Sequence, residues 1–262
     1  MNDIDTILLQ LKDGKLSLEE AKSALGLFRI EFIENGVALD TGRHLRKGIP
    51  EVIYAEKKSP EVLNAIVSRH MQNNSPILLS RVLQKHLDLL KEGFSRQYNL
   101  VISPAYEPYT VTITTKNFQF SPSPYKIGIL TAGTSDIPIA EEAKAMAQLM
   151  GVDAIQFNDV GIAGVHRLFE PLKEILKNKV KVIIAIAGME GALPIMVSSL
   201  VDVPVIGVPA STGYGYGGKG VGALMTMLQS CSPGLVVVNI DNGINAGATA
   251  ALIAKQCNHV SD

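Results

Sequence analysis

The sequence lacks a surplus of charge. Its 24 Lys and Arg stand against 25 Asp and Glu, a formal net charge of -1. No basic field is present to attract nucleic acid, so an anionic ligand has to be held by local groups. Cysteine is scarce, with only Cys231 and Cys257 present. That excludes a disulfide framework and leads to the expectation of a reduced, cytoplasmic protein. Long hydrophobic runs are missing too. The opening MNDIDTILLQLKDGKLS carries acids and no extended apolar core, so it does not read as a signal peptide. No stretch is long enough to span a membrane. The polar turn at residues 131–136 is neither a Walker loop nor a GxGxxG turn. What is present is a chain of 262 residues, 47% hydrophobic and 19% charged, enough to bury a core in one large or two modest domains.

The most organised stretch is KIGILTAGTSDIPIAEEAKAMAQLM, residues 126–150. Ile127 to Leu130 reads as a buried strand. A polar turn follows from Thr131 to Asp136. Ala140, Ala143, Ala147 and Met150 then recur at helical spacing. Asp136 or Ser135 can cap that helix, and the N–H groups behind it can hold an anion. A capped turn without a ligand fits the same residues. Downstream, strands are expected near 127–131, 153–157, 180–186, 204–208 and 235–240, each followed by a helix. Five such units imply a flavodoxin-like, doubly wound parallel sheet of five strands. Ligands of such sheets bind beyond the carboxyl ends of the strands. The turns there are rich in Gly and small polar residues: Thr131, Gly133, Thr134 and Ser135, then Gly188 and Met189, then Ser211, Gly213, Tyr214 and Gly215. They let backbone approach a ligand closely, and together they form the expected substrate site.

The first part of the chain reads as a small α+β domain, residues 1–121, before an α/β domain, residues 122–262. Ile4, Ile7, Leu8 and Leu11 share a helical face, and Ser17 to Glu20 fits a capping box. Ser59-Pro60-Glu61 is a helix start. Thr110 to Thr114 alternates with apolar residues, which predicts a half-exposed strand. FQFSPSP, residues 118–124, reads as the linker. Arg43, His44, Arg46 and Lys47 cluster before residue 50. They form either a solvated basic loop or, through Arg43 and Arg46, a contact to phosphate or carboxylate.

These residues resemble a known family. TAGTSD and its Ala-rich helix look like the phosphate-binding turn of PurE-type aminoimidazole ribonucleotide carboxylases. His166-Arg167 is similar to their His-Arg pair, and AGMEGALP, from Ala187, to their turn ending in His-Leu-Pro. Ala192 replaces that histidine, and Glu190 is new. The full pattern resembles LarB, the synthase of pyridinium-3,5-biscarboxylic acid mononucleotide in nickel-pincer cofactor assembly. RKGIPEVIYAEKKSPE, GVHRLFEP, STGYGYG and LQSCSPGLVVVNIDNG carry that resemblance over nearly the whole chain. It implies carboxylation of the pyridinium ring of nicotinic acid adenine dinucleotide by CO2 or bicarbonate, with hydrolysis of the phosphoanhydride to AMP. It also implies Mg2+ or another divalent cation, and a homo-octamer with shared sites.

A pyridinium ring is electron-poor, so a nucleophile must add before a ring carbon can attack CO2. Thiolate both adds and leaves readily. With the resemblance, Cys231 is the expected nucleophile; on residue type alone a cysteine at a helix end is more often a small buried hydrophobe. Cys257 reads as structural. Glu190 is the expected base or metal ligand, and Asp136 is expected to orient ribose or ligate the metal. His166 and Arg167 are expected at phosphate or carboxylate. Cys231 precedes the fifth strand, at the edge opposite the Gly-rich turns, so a neighbouring subunit is expected to complete the site. Rival expectations are a PurE-type carboxylase or mutase and a non-catalytic dinucleotide-binding module.

Overall fold

The computed structural model describes residues 4–25, 30–33, 37–40, 42, 47–120 and 123–257. Arg43, His44 and Arg46 lie outside the described residues, as do Ser121 and Pro122 at the expected domain boundary. Helices α1 (Ile4–Lys12) and α2 (Leu18–Leu25) open the chain. The capping box forms: the Ser17 amide and hydroxyl donate to Glu20 Oε2 at 2.8 and 2.7 Å, and the Glu20 amide donates to Ser17 Oγ at 3.2 Å. An antiparallel hairpin of β1 (Ile30–Ile33) and β2 (Val37–Asp40) follows, which the hydrophobic pattern did not announce.

The next six elements are β3 (Glu51–Tyr54), α3 (Pro60–Met71), β4 (Ile77–Val82), α4 (Gln84–Phe94), β5 (Tyr98–Ser103) and β6 (Tyr109–Thr115). Ser59 caps α3 by accepting the Val62 amide at 3.3 Å, and Pro60 takes the first helical position, where its missing N–H is harmless. The strands form a mixed sheet in the order β3-β4-β6-β5. Side chains alternate across it. Ile77, Leu79, Val111 and Ile113 face a core with Leu63, Ile66, Leu87 and Leu90 of α3 and α4. The opposite face carries Thr110, Thr112 and Thr114, which are 2, 4 and 3% exposed. The expectation of a half-exposed strand is therefore corrected. The alternation is real, but the threonine face is covered by the α/β domain, and Leu78 on the same side joins that domain's core.

The α/β domain comprises β7 (Lys126–Thr131), α5 (Ile137–Leu149), β8 (Asp153–Phe157), α6 (His166–Lys177), β9 (Ile183–Ala187), α7 (Ala192–Ser198), β10 (Val205–Pro209), α8 (Val221–Leu228), β11 (Leu235–Val237) and α9 (Gly243–Gln256). The five strands are all parallel, in the order β11-β10-β9-β7-β8, the flavodoxin-like arrangement. Buried-on-both-faces strands read as continuous apolar runs, and Ile183 to Ala187 is one, every residue buried. Ile184 and Ile186 pack with α5 and α9. Ile183 and Ala185 pack with α6, α7 and α8 on the other face. No helix among the described residues is long and apolar enough to cross a membrane.

One acid is buried where the two sheets meet. Glu142 of α5 accepts the Ser80 hydroxyl at 2.5 Å and lies 3.9 Å from Arg81 Nε. Burial pushes its carboxyl up from 4.5 to about 7, against the pull of Ser80 and Arg81. Between pH 4.5 and about 7 the folded chain therefore holds a proton that the unfolded chain releases. Stability falls as pH rises across that window, by up to about 3 kcal/mol, and the penalty is complete above it. Glu142→Gln is expected to flatten this slope in thermal melts taken from pH 5 to 8; a slope identical to wild type would refute the assignment.

Candidate functional site

The sheet order reverses between β7 and β9, and a cleft of about 320 Å³ opens at the carboxyl ends of these strands. Four turns meet there. The turn after β7 supplies Ala132, Gly133, Ser135 and Asp136. The segment after β8 supplies Gly161, Ile162, Ala163 and Arg167. The turn after β9 supplies Gly188, Met189 and Glu190, backed by Ala192 and Leu193 of α7. The loop after β10 supplies Thr212, Gly213 and Tyr214.

Asp136 organises the first turn. It is 3% exposed, and both its oxygens are engaged. Oδ2 accepts the Gly133 amide at 2.9 Å and Oδ1 accepts the Thr212 hydroxyl at 2.8 Å. Its carboxyl lies above the ordinary value, chiefly through burial, with Thr212 and Gly133 pulling the other way. Asp136 thereby ties the turn after β7 to the loop after β10. Glu190 is different. It is exposed on the rim, and its carboxylate makes no ion pair or hydrogen bond to a described residue. Arg167 reaches Asp159 Oδ2 at 2.7 Å, and side-chain exposures of 39 and 51% make this pair weak. Its effect is to place a guanidinium on the cleft wall.

Of the residues expected from sequence, Gly133, Ser135, Asp136, Arg167, Gly188, Met189, Glu190, Gly213 and Tyr214 line this cleft. The others stand elsewhere. Thr131 is fully buried, its hydroxyl donating to Asn158 Oδ1 and accepting the Asp159 amide, so it supports the cleft floor from below. Thr134 is bound through its carbonyl by the Tyr106 hydroxyl. Ser211 faces Asp241 instead of the cleft. Gly215 lies beyond the lining, in left-handed backbone at φ +79°. His166 is exposed at the first turn of α6, outside the lining. Cys231 is exposed before β11, at the amino edge of the sheet, and does not line the cleft. Cys257 is exposed as well, at the C-cap of α9, so its structural reading is corrected: it packs into no core. Sequence reasoning missed Thr212, whose hydroxyl joins Asp136; the STGYGYG run around it marked the loop but not the partner.

The chain's PurE-like C-terminal half is defined by this parallel sheet with its cleft at the switch point. The AIR carboxylase family pattern matches residues 126–261, and the LarB/PurE-like N-terminal domain pattern matches residues 33–103. The chain belongs to the LarB family. An uncharacterized protein of Methanocaldococcus jannaschii is 45% identical over 95% of this chain and 96% of its own length. The N5-carboxyaminoimidazole ribonucleotide mutase of the same organism is 37% identical over 50% of this chain and 76% of its own length. That of Thermotoga maritima is 34% identical over 49% of this chain and 74% of its own length.

The cleft is narrow because two loops interleave. A Cβ on Gly213 would lie 2.6 Å from the Met189 amide nitrogen, so only glycine lets the loops after β9 and β10 touch. Gly213→Ala forces backbone apart, and such overpacking destabilises by about 1–3 kcal/mol. The expected result is a lower Tm together with faster amide exchange at residues 188–190; unchanged exchange there would show that the loops are not in register contact.

Proposed function

We propose that this protein carboxylates the pyridinium ring of nicotinic acid adenine dinucleotide and hydrolyses its phosphoanhydride, giving pyridinium-3,5-biscarboxylic acid mononucleotide and AMP. The observation that carries the reading is the joining of a LarB-type N-terminal domain to a PurE-like cleft with Ala192 in the histidine position. Without that imidazole the purine reaction loses its expected proton carrier, while Glu190 stands free on the rim.

The chemistry follows in steps. The Cys231 thiolate adds to the ring and converts the pyridinium to a dihydropyridine. The enamine carbon β to nitrogen then attacks CO2 and forms the new C–C bond. Glu190 removes the proton from that carbon, the electron pair re-forms the aromatic ring, and the thiolate leaves. Arg167 and the amide groups at the start of α5 hold phosphate. Tyr214, 78% exposed beside the cleft, offers a face for a ring. Tyr216 is fully exposed and packs on nothing among the described residues, so it is available to a neighbour or a ligand.

Among the described residues no three His, Cys, Asp or Glu side chains converge as a metal site. A divalent cation fits this cleft when held mainly by the substrate's phosphates and water, with Glu190 as its protein ligand only where another group takes the ring proton. Bound there, it would supply charge neutralisation at the anhydride.

The position of Cys231 supports an assembly. It is exposed and lies outside the cleft of its own chain. Helix α8, which leads to it, exposes Val221, Met225 and Leu228, and the edge strand β11 exposes Val236. We infer a homo-oligomer, an octamer by the family resemblance, in which Cys231 serves a neighbour's cleft.

Mass spectrometry of purified protein with nicotinic acid adenine dinucleotide, bicarbonate and Mg2+ tests the reaction. AMP and the doubly carboxylated mononucleotide are expected. Unchanged dinucleotide beside turnover of aminoimidazole ribonucleotide would move the protein to the purine reaction. Tight dinucleotide binding without turnover would make it a sensor. Cys231→Ala is expected to lower carboxylation by roughly 10³-fold or more with binding kept. Mixed oligomers of Cys231→Ala and Glu190→Ala chains should regain activity; their remaining inactive would rule out sites shared between subunits.

A further inference from the structure

Besides Tyr106, whose hydroxyl binds the Thr134 carbonyl, the α+β domain reaches toward the cleft through Arg81. Strand β4 carries a bulge: Leu79 pairs with Val111 and Val82 with Tyr109, so Ser80 and Arg81 together stand opposite Thr110. Arg81 sits in left-handed backbone there, at φ +52°. Such a conformation is unfavourable for a long side chain and persists where surrounding structure holds it. The bulge aims the guanidinium out of the sheet, toward the α/β domain.

Its partners lie on both sides of the domain boundary. Arg81 NH2 donates to the Asp241 carbonyl at 3.3 Å and lies 3.4 Å from Asp241 Oδ2. Nε is 3.9 Å from Glu142 and NH1 is 3.9 Å from Glu56. The guanidinium also stands 5.7 Å over the Tyr54 ring. Three carboxylates thus share one cation.

Asp241 passes the constraint on. It too is left-handed, at φ +56°. Its Oδ1 accepts the Ser211 amide at 2.7 Å and its Oδ2 accepts the Ser211 hydroxyl at 2.6 Å. The next residue, Thr212, donates to Asp136, which in turn holds Gly133. Charge-assisted bonds, joined by the Ser211–Thr212 peptide link, connect Arg81 to the turn after β7. A cavity of about 140 Å³ lies against this chain, lined by Arg81, Ser211, Thr212 and Asp241.

We infer that Arg81 is a positioning residue for the cleft, acting through Asp241 on the Ser211–Thr212 corner, and that the α+β domain serves the PurE-like domain of its own chain in this way. The inference that the corner is held stands on geometry; its catalytic consequence rests on the proposed dinucleotide reaction.

The test is amide exchange on the full-length protein. Arg81→Met keeps the apolar stem and removes the cation. It is expected to speed exchange at residues 211–214 by about tenfold or more, with residues 183–187 of β9 unchanged. Arg81→Lys keeps the charge without the fork and is expected to recover part of the protection. The Arg81→Met/Glu142→Gln variant removes the buried acid's need for a cation and carries the same test if the single variant does not fold. Exchange at 211–214 equal to wild type would overturn the inference, as would acceleration spread evenly over β9, or a Lys variant no better protected than Met. Binding of nicotinic acid adenine dinucleotide is measured alongside and is expected to weaken about tenfold in Arg81→Met and to recover with Lys. Wild type failing to bind the dinucleotide would defeat the proposed function alone, since the exchange result needs no ligand.

Discussion

Helix α5 is the constraint on which the rest of the molecule turns. A Cβ on Gly247 of α9 would lie 2.3 Å from the Ala143 carbonyl oxygen, so the two helices touch backbone to backbone. Ile127 and Ile129 of β7 back α5 from the parallel sheet. The threonine face of β6 and Leu78 of β4 close it from the other domain. A helix confined on three sides has one position. Its first turn borders the cleft, so that position sets where Asp136 and Gly133 stand. Small residues make this possible: Ala140, Ala143 and Ala147 are fully buried and let neighbours approach.

The polar groups around α5 complement this packing. Glu142 is held by Ser80 across the interface, where burial works against its charge. Asp136 precedes the first turn of the helix, with both oxygens satisfied. Buried carboxylates in such numbers are tolerated because each accepts a hydrogen bond or meets Arg81. The cleft's other acid, Glu190, lies at the solvent-open rim and makes no ion pair or hydrogen bond to a described residue.

Much of the fold was legible. Ser17 with Glu20 and Ser59 before Pro60 mark helix starts because their side chains satisfy free amides whatever the tertiary context. The continuous apolar run at Ile183 to Ala187 marks a strand buried on both faces. The Gly-rich turns identify the cleft edge because close approach demands glycine. The Thr110–Thr114 strand was misread for the opposite reason. Alternation says that two faces differ; it does not say what covers the polar one. Arg81 left no trace in the pattern either, since an arginine near the end of a strand reads as solvent-facing.

By itself the sequence determined the order of elements, the parallel sheet and the carboxyl edge as the place for a site. Those follow from periodicity, capping and backbone freedom, which act over a few residues. Only the tertiary structure decided which side chains meet there. Asp136 and Thr212 join across 76 positions, and Arg81 and Asp241 across 160. Cys231 stands apart from the cleft, at the amino edge that its place before the fifth strand already indicated. Local rules specify the elements; long-range hydrogen bonds and charge pairing, which depend on how helices and sheets stack, specify the site.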